Sequence, residues 1–393
     1  MPISLPGKPF RLFTILAVVA VVIIAASVER YNARGVDQAG FSVSLDRMDD
    51  SVPILVYVVD SPSIDIGGLS SDPELEFRVN NGYLRAVRNS RGDLIVIDVD
   101  RLLIFDSTGS ALSSVGIYGS GPGEFQNLTS VCTAASDTIV VWDSSNRQTT
   151  ILDPKGGIIW SFRAPTPQSS LPLDACSSDG TIIYQALTRR TQGELSKLVV
   201  SRVKLDGTAI QPEIVFDVTP PNALVQRWLT VLRSGEWIVV GDGIANRFVM
   251  RNTNGGGRVV RTLGSVETVG PDELKQLARR SLPQHASAAQ ISVRLQRVKK
   301  MLDDPLTWPA YGRILSDGAG TLWVEAAARH RSPAQVWTAF NEKGGILGRL
   351  TVPDSLGGYS QFRVVGFGPD EVLGYARDSD GALRLLVAGY QAH

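Results

Sequence analysis

The chain has 393 residues, with 39 basic and 39 acidic side chains and a formal net charge of zero. That balance excludes the basic face that phosphate-backbone recognition needs, so nucleic acid is not expected as a partner. Glycine (38) and proline (21) are frequent, which suits many tight turns between short strands, and the length allows one large all-β domain.

The first element is apolar. Lys8 and Arg11 precede an uncharged run from Leu12 to Ser27. Basic residues before such a run hold its N-terminus in the cytoplasm. The run falls short of the roughly 20 apolar residues of a spanning helix and fits a signal-peptide core. Ala25-Ala26-Ser27 is a passable cleavage site. Residues 1–30 therefore read as a signal peptide or a retained anchor, the second touching the membrane through residues 12–28. Either reading puts the rest of the chain on the extracytoplasmic side, periplasmic or cell-surface. No cysteine directly follows the run, so lipid attachment there is excluded. Residues 31–53 read as a linker.

From residue 54 a unit recurs. The strands GDLIVID, DTIVVWD, GTIIYQ, GEWIVVGD, GTLWVEA and DEVLGYA follow turn residues, and second strands such as RLLIFDSTGS and TTILDPKGG end in polar turns. Six units are counted. Repeats of roughly 40–45 residues with four strands each are the signature of a β-propeller. The expectation is an all-β, six-bladed propeller over residues 54–393. The last unit, ending in ALRLLVAGY, lacks a fourth strand, and the stretch around Tyr57 to Ile66 would supply it. That pairing would close the ring and remove two sheet edges at once.

Between the first two units stands GSGPGEF, Gly119 to Phe125. A phosphate cradle would open a helix, often with Lys and Ser or Thr. Here a strand follows and no lysine is present. The similar stretch SIDIGGLSSDPELEFRVN precedes the first full unit. Both read as blade-to-blade joints, with glycines making the crossing, Phe125 wedged between blades and Glu124 accepting backbone N–H bonds.

GSGPGEF, TIVVWDSSNRQTTILDPKG, RAVRNSRGDLIVID and PAYGRILSDGAGTLWVE together resemble NHL-repeat propellers, and the wider pattern is similar to extracytoplasmic bacterial six-bladed propellers. The resemblance covers roughly residues 54–390. It implies a fold and says little about chemistry, because propellers host many functions. Zinc-dependent lyases of the NHL type use several channel histidines, and this chain has three histidines, His285, His330 and His393, at no metal-ligand spacing.

Four loops after the second strand of a unit run from an acid to a base: Asp98 to Arg101, Asp143 through Asn146 to Arg147, Asp242 through Asn246 to Arg247, and Glu325 to Arg329. The bland reading has each acid accepting loop N–H bonds and pairing with its arginine. The sharper reading makes these ten residues a ring of polar groups around the channel mouth, fit for a ligand. Antiparallel alternation puts those loops and the blade joints on one face. An insertion, residues 271–304, emerges from the joint after the fourth unit as two helices split at Pro283, with Asp272 as first cap and a stripe of Ile291, Leu295, Val298 and Leu302.

No nucleophile elbow or triad is present, and no catalytic residue is assigned. Asn127-Leu-Thr is a formal glycosylation sequon. Cys132 and Cys176 fall at similar places in successive units; they could form one disulfide, and burial as two thiols is the reading taken. The expected function is a binding module holding a protein partner or polar ligand on the loop face, without a cofactor. The rivals are a metal-dependent hydrolase or lactonase, for which calcium would be held by acids at the channel mouth, and a structural scaffold of an envelope complex.

Overall fold

The computed structural model describes residues 42–44, 54–55, 61–68, 75–78, 84–163, 176, 180–188, 196–218, 229–243, 247–253, 258–263, 267–280, 282–283, 285–301, 307–308, 311–327 and 334–390. The apolar run at 12–28 lies outside them. Among the described residues no helix is long and apolar enough to cross a membrane.

Six sheets follow one another along the chain as the blades of a propeller. Blade 1 consists of Arg85–Arg88, Leu94–Asp98, Arg101–Phe105 and Ala111–Val115, from inner strand to outer. Blade 2 is Leu128–Thr133, Ile139–Asp143, Gln148–Leu152 and Ile158–Arg163. Blade 3 has Thr181–Thr188, Ser196–Lys204 and Ala209–Val218, with Cys176 bridged to Ile182 on its inner side. Blade 4 runs from Leu229–Ser234 through Trp237–Asp242 and Arg247–Asn252 to Arg258–Thr262. Blade 5 is Tyr311–Ser316, Leu322–Ala326, Ala334–Phe340 and Ile346–Pro353. Blade 6 is Tyr359–Phe367, Glu371–Arg377 and Leu383–Gly389, and Ile64–Gly67 pairs antiparallel with its last strand.

Each blade is packed between two others, so its second and third strands are covered on both faces. That is why they read as unbroken aliphatic runs and not as alternating ones. Leu94–Asp98 and Ile139–Asp143 are buried at every position. Six apolar cores result, one between each pair of successive blades. One contains Ile95, Ile97 and Leu102 of blade 1 with Val131, Ile139 and Val141 of blade 2. Another joins Leu385 and Val387 of blade 6 to Leu94 and Val96 of blade 1.

The turns that link strands within a blade share one device. Asp106 Oδ1 accepts the N–H of Thr108 at 2.8 Å and of Ser110 at 2.9 Å. Asp153 does the same for Lys155 and Gly157, and Asn341 for Lys343 and Gly345. These Asx turns let a short polar side chain close a tight corner. The hydrogen bonds favour the ionised form: the Thr108 hydroxyl holds Asp106 below the usual carboxylate range, and backbone N–H groups do so for Asp153 and Asp206.

Two features depart from the sequence reading. Within the stretch read as a linker, Ser42–Ser44 pairs parallel with Val259, Val260 and Arg261 on the outer edge of blade 4. Ile54–Leu55 pairs parallel with Arg349 and Leu350 on blade 5. Strands this short leave no periodicity to read.

The second departure is covalent. Cys132 and Cys176 form a disulfide, with Cα atoms 5.6 Å apart, where two buried thiols were expected. The bond joins the inner strand of blade 2 to the inner side of blade 3, within a core shared by Val140, Tyr184 and Val203. It closes a loop with a sequence separation of 44. Replacing both cysteines by serine is expected to lower stability by about 2–4 kcal/mol. Denaturant unfolding with and without reductant checks this: the double variant should show no further response to reductant.

Candidate functional site

The face carrying the joints and the loops after each second strand is built by one repeated clamp. At the exit of blade 1, Gly116 has φ +102°, and a Cβ there would stand 2.5 Å from the Phe125 ring. Gly67, the last residue of the strand added to blade 6, has φ +100°, and a Cβ there would stand 2.6 Å from Phe77. Only glycine supplies both the backbone conformation and the room. The aromatic ring therefore lies on the glycine, and the next residue turns its N–H inward. Gln126 N–H donates to Asp143 Oδ2 at 2.7 Å, and Arg78 N–H donates to Asp98 Oδ1 at 2.8 Å. Each joint is thus pinned to the acid that ends the second strand of the blade it enters.

The rest of GSGPGEF serves the same crossing. Ile117–Tyr118 pairs parallel with Glu124–Phe125. Glu124 Oε2 accepts the Gly121 N–H at 2.8 Å, and Gly119 N–H donates to the Phe125 carbonyl at 3.1 Å. Asn146 donates from Nδ2 to the Gly119 carbonyl at 3.0 Å and to Asp143 Oδ2 at 2.9 Å.

Asp98 is fully buried and Arg101 is 2% exposed. The pair face each other in register, and Arg101 donates to Asp98 Oδ2 from Nε at 3.0 Å and from Nη2 at 2.8 Å. Arg101 also reaches the Glu76 carbonyl. With Arg78 N–H bonded to both oxygens, this carboxylate is saturated by the chain itself. Asp143 is equally buried and accepts the N–H groups of Ser145 at 2.9 Å and Asn146 at 3.0 Å. Arg147 is exposed, with φ +52°. Asp242 is buried opposite Arg247 in the strand register. Its charge, after burial itself, helps push the Tyr311 hydroxyl well above its ordinary pKa. Asn246 and Arg329 lie outside the described residues.

Glu325 has a partner that sequence reasoning missed. Arg313, on the adjacent strand, grips it with two bonds, Nε to Oε2 at 2.7 Å and Nη2 to Oε1 at 3.1 Å. The same guanidinium donates to Gln335 Oε1 at 3.1 Å and lies 5.0 Å from the Trp337 ring centre. A bidentate grip of this kind fixes geometry as well as charge. Its two members are twelve residues apart, and only the bulged strand register brings them together.

The insertion opens from a small ladder, Glu267–Thr268 against Thr307–Trp308. Its first helix is Pro271–Arg280, and its second is Ala288–Met301. Asp272, expected as the first cap, lies exposed in the first turn. Gly270 takes the cap position instead, its N–H bonded to Glu273 Oε2 at 2.9 Å. The second helix starts with a full capping box: Ser287 Oγ accepts the Gln290 N–H at 3.3 Å, and Gln290 Oε1 accepts the Ser287 N–H at 2.8 Å. Ile291 and Leu295 of the predicted stripe are half-buried; Leu302 lies outside the described residues. His285 is exposed between the helices, and His330 and His393 lie outside the described residues.

Asp98 and Asp143 hold backbone N–H groups and Glu325 holds Arg313, and His285, the one described histidine, stands apart from them in the insertion sequence. Among the described residues no three His, Cys, Asp or Glu side chains come together as a metal-binding group.

Fold and site together define a six-bladed β-propeller with clamped joints and one helical insertion. No protein-family model matches the chain, and no curated protein matches its sequence. Solved structures do. A member of the DUF4221 family from Bacteroides vulgatus is similar with a TM-score of 0.53 at 10% identity, over 86% of this chain and 98% of that one. A candidate exported protein from Bacteroides fragilis has a TM-score of 0.49 at 14% identity, over 85% and 99%. A virginiamycin B lyase from Staphylococcus aureus has 0.39 at 9%, over 79% and 83%. At such identities the likeness speaks for the fold alone, and it rests on the first of the three.

Proposed function

We propose that the protein is an extracytoplasmic binding module of the NHL-like type, a propeller that holds a protein partner or polar ligand on its joint face, beside the helical insertion. In this reading residues 1–30 direct export or anchor the chain, and the strand at Ile64–Gly67 closes the ring. The observation that carries it is the contrast between joints. Where blade 1 meets blade 2, the crossing is a tight loop whose polar groups are bonded internally. Where blade 4 meets blade 5, the chain leaves the scaffold for two capped helices, with Val293 on the second of them exposed. Long excursions from a regular scaffold are where binding is built.

The test replaces residues 271–304 of the full chain with a short Gly-Ser turn. The variant is expected to unfold cooperatively near the parent temperature and to migrate at a smaller size than the parent chain in mild-detergent extracts of the source cells, having lost its partner. A complex of unchanged size would sink the reading. So would a variant that fails to fold, because the helices would then be a cover for the core.

A further inference from the structure

The insertion carries a sharp charge contrast with the rest of the chain. Between Leu274 and Leu302 stand seven basic residues and no acidic one, in a chain whose net charge is zero. The remainder is therefore net negative by the same seven charges. Three of the seven fall within Pro271–Arg280 and four within Ala288–Met301. Lys275 and Arg279 are exposed, one turn apart and so on one face of the first helix. On the second helix Ser292, Val293 and Gln296 are exposed, while Ile291 and Leu295 are half-buried. The two helices pack against each other.

Two features narrow what such a surface meets. The first is composition. Residues 271–304 contain no Trp, Tyr or Phe, and aromatic anchors seated in pockets are what specific protein interfaces are built on. Val293, 62% exposed, is the one large apolar side chain standing out among the described residues of the insertion. Many cations with few anchors suit a surface of many diffuse negative charges. The second feature is placement. The outer strand of blade 4, Arg258–Thr262, leads into the insertion and also pairs with Ser42–Ser44. Fourteen residues, 28–41, separate that added strand from the uncharged run ending at Ser27. Fully extended they reach at most about 50 Å, so a bilayer that holds the run lies within that distance of blade 4.

We propose that the insertion docks on an anionic phospholipid surface, its basic helices against the headgroups and the propeller held off. The proposal rests on the insertion being the binding element and names the chemistry of what it binds. Each Lys or Arg near such a surface strengthens association by about fivefold. The net negative remainder is repelled by the same surface, so charge alone sets the orientation, insertion toward the lipid and blades away from it. Val293 adds one shallow apolar contact at the headgroup level. The docking is therefore mainly electrostatic and weakens as salt screens it.

The test reads the approach of the insertion to lipid, in protein isolated from cells producing the full chain. A donor dye is placed on Ser292→Cys, Cys132 and Cys176 being bonded to each other. Acceptor dyes sit on the headgroups of phosphatidylcholine vesicles, with or without roughly 30% phosphatidylglycerol as the anionic lipid. Energy transfer is expected to rise well above the neutral-vesicle level when phosphatidylglycerol is present. It should fall back at about 1 M salt, where the screening length is ~3 Å. Lys275→Gln with Arg279→Gln, both at exposed positions, should weaken docking roughly thirtyfold, at about fivefold per lost cation, with the melting temperature unchanged. Equal transfer in the two kinds of vesicle overturns the proposal, because tethering alone would then bring the helix near. So does a gain that survives salt. If lipid charge has no effect while replacement of residues 271–304 still reduces the native size, the lipid proposal fails and the binding reading stands, with a protein as the partner.

Discussion

Asp98→Ala is expected to lower stability by about 3–5 kcal/mol, the cost of breaking a buried pair and leaving one charge uncompensated. The expectation follows from what the carboxylate holds. It receives two bonds from Arg101, which is itself buried, and two contacts from the Arg78 N–H. Removing it strands a guanidinium and loosens the joint that leads into blade 1. Asp98→Asn keeps an acceptor for Arg78 and should cost less. The double variant Asp98→Ala with Arg101→Leu should recover part of the loss, because the unpaired charge goes too. Urea unfolding of the four proteins checks the ordering. If Asp98→Ala unfolds at the parent midpoint, the clamp has no structural role, and a ligand role for this acid gains ground.

Why the propeller reads so fully from the sequence, and the site so poorly, comes down to where each is encoded. Blade strands such as Leu94–Asp98 are covered on both faces, so burial is written as a local run of β-branched and aliphatic residues. The joints also announce themselves: Glu-Phe recurs at Glu76-Phe77 and Glu124-Phe125, each preceded by a glycine that lies under the ring. The acids at Asp98 and Asp143 are visible as a repeat, and their bonding to the chain follows from that regularity. Long-range geometry leaves weaker traces. Proximity in sequence matches Glu325 to Arg329, whereas a bulged register delivers Arg313. Nothing local distinguishes Cys132 and Cys176 as a bonded pair, because the 5.6 Å between their Cα atoms is a product of two blades packing. The exposed outer strand of blade 2 reads in sequence as one more repeat strand; that no strand flanks its outer side among the described residues is a property of the assembled sheet.

Phe125→Ala is expected to cost about 3–5 kcal/mol, the range for deleting a buried aromatic ring when the surroundings collapse only in part. Phe125 is 2% exposed and belongs to the core between blades 1 and 2, with Ile97, Leu102, Leu128 and Val141. Collapse is restricted here. The ring rests on Gly116, whose φ of +102° is set by the chain reversal and whose carbon cannot move in to fill the space. The backbone on either side is tied down, by Gly119 N–H at the Phe125 carbonyl and by Gln126 N–H at Asp143. Phe125→Leu should cost less than half as much, since most of the volume stays. Gly116→Ala should be damaging by the opposite route, overpacking against the same ring at a position where φ is positive. Combined with Phe125→Ala, however, part of that damage should vanish, because the ring that the new methyl would strike is gone. A double-mutant cycle on residues 116 and 125 reads this directly. Strictly additive losses would mean that ring and glycine do not meet, and that the joint is held by its hydrogen bonds alone.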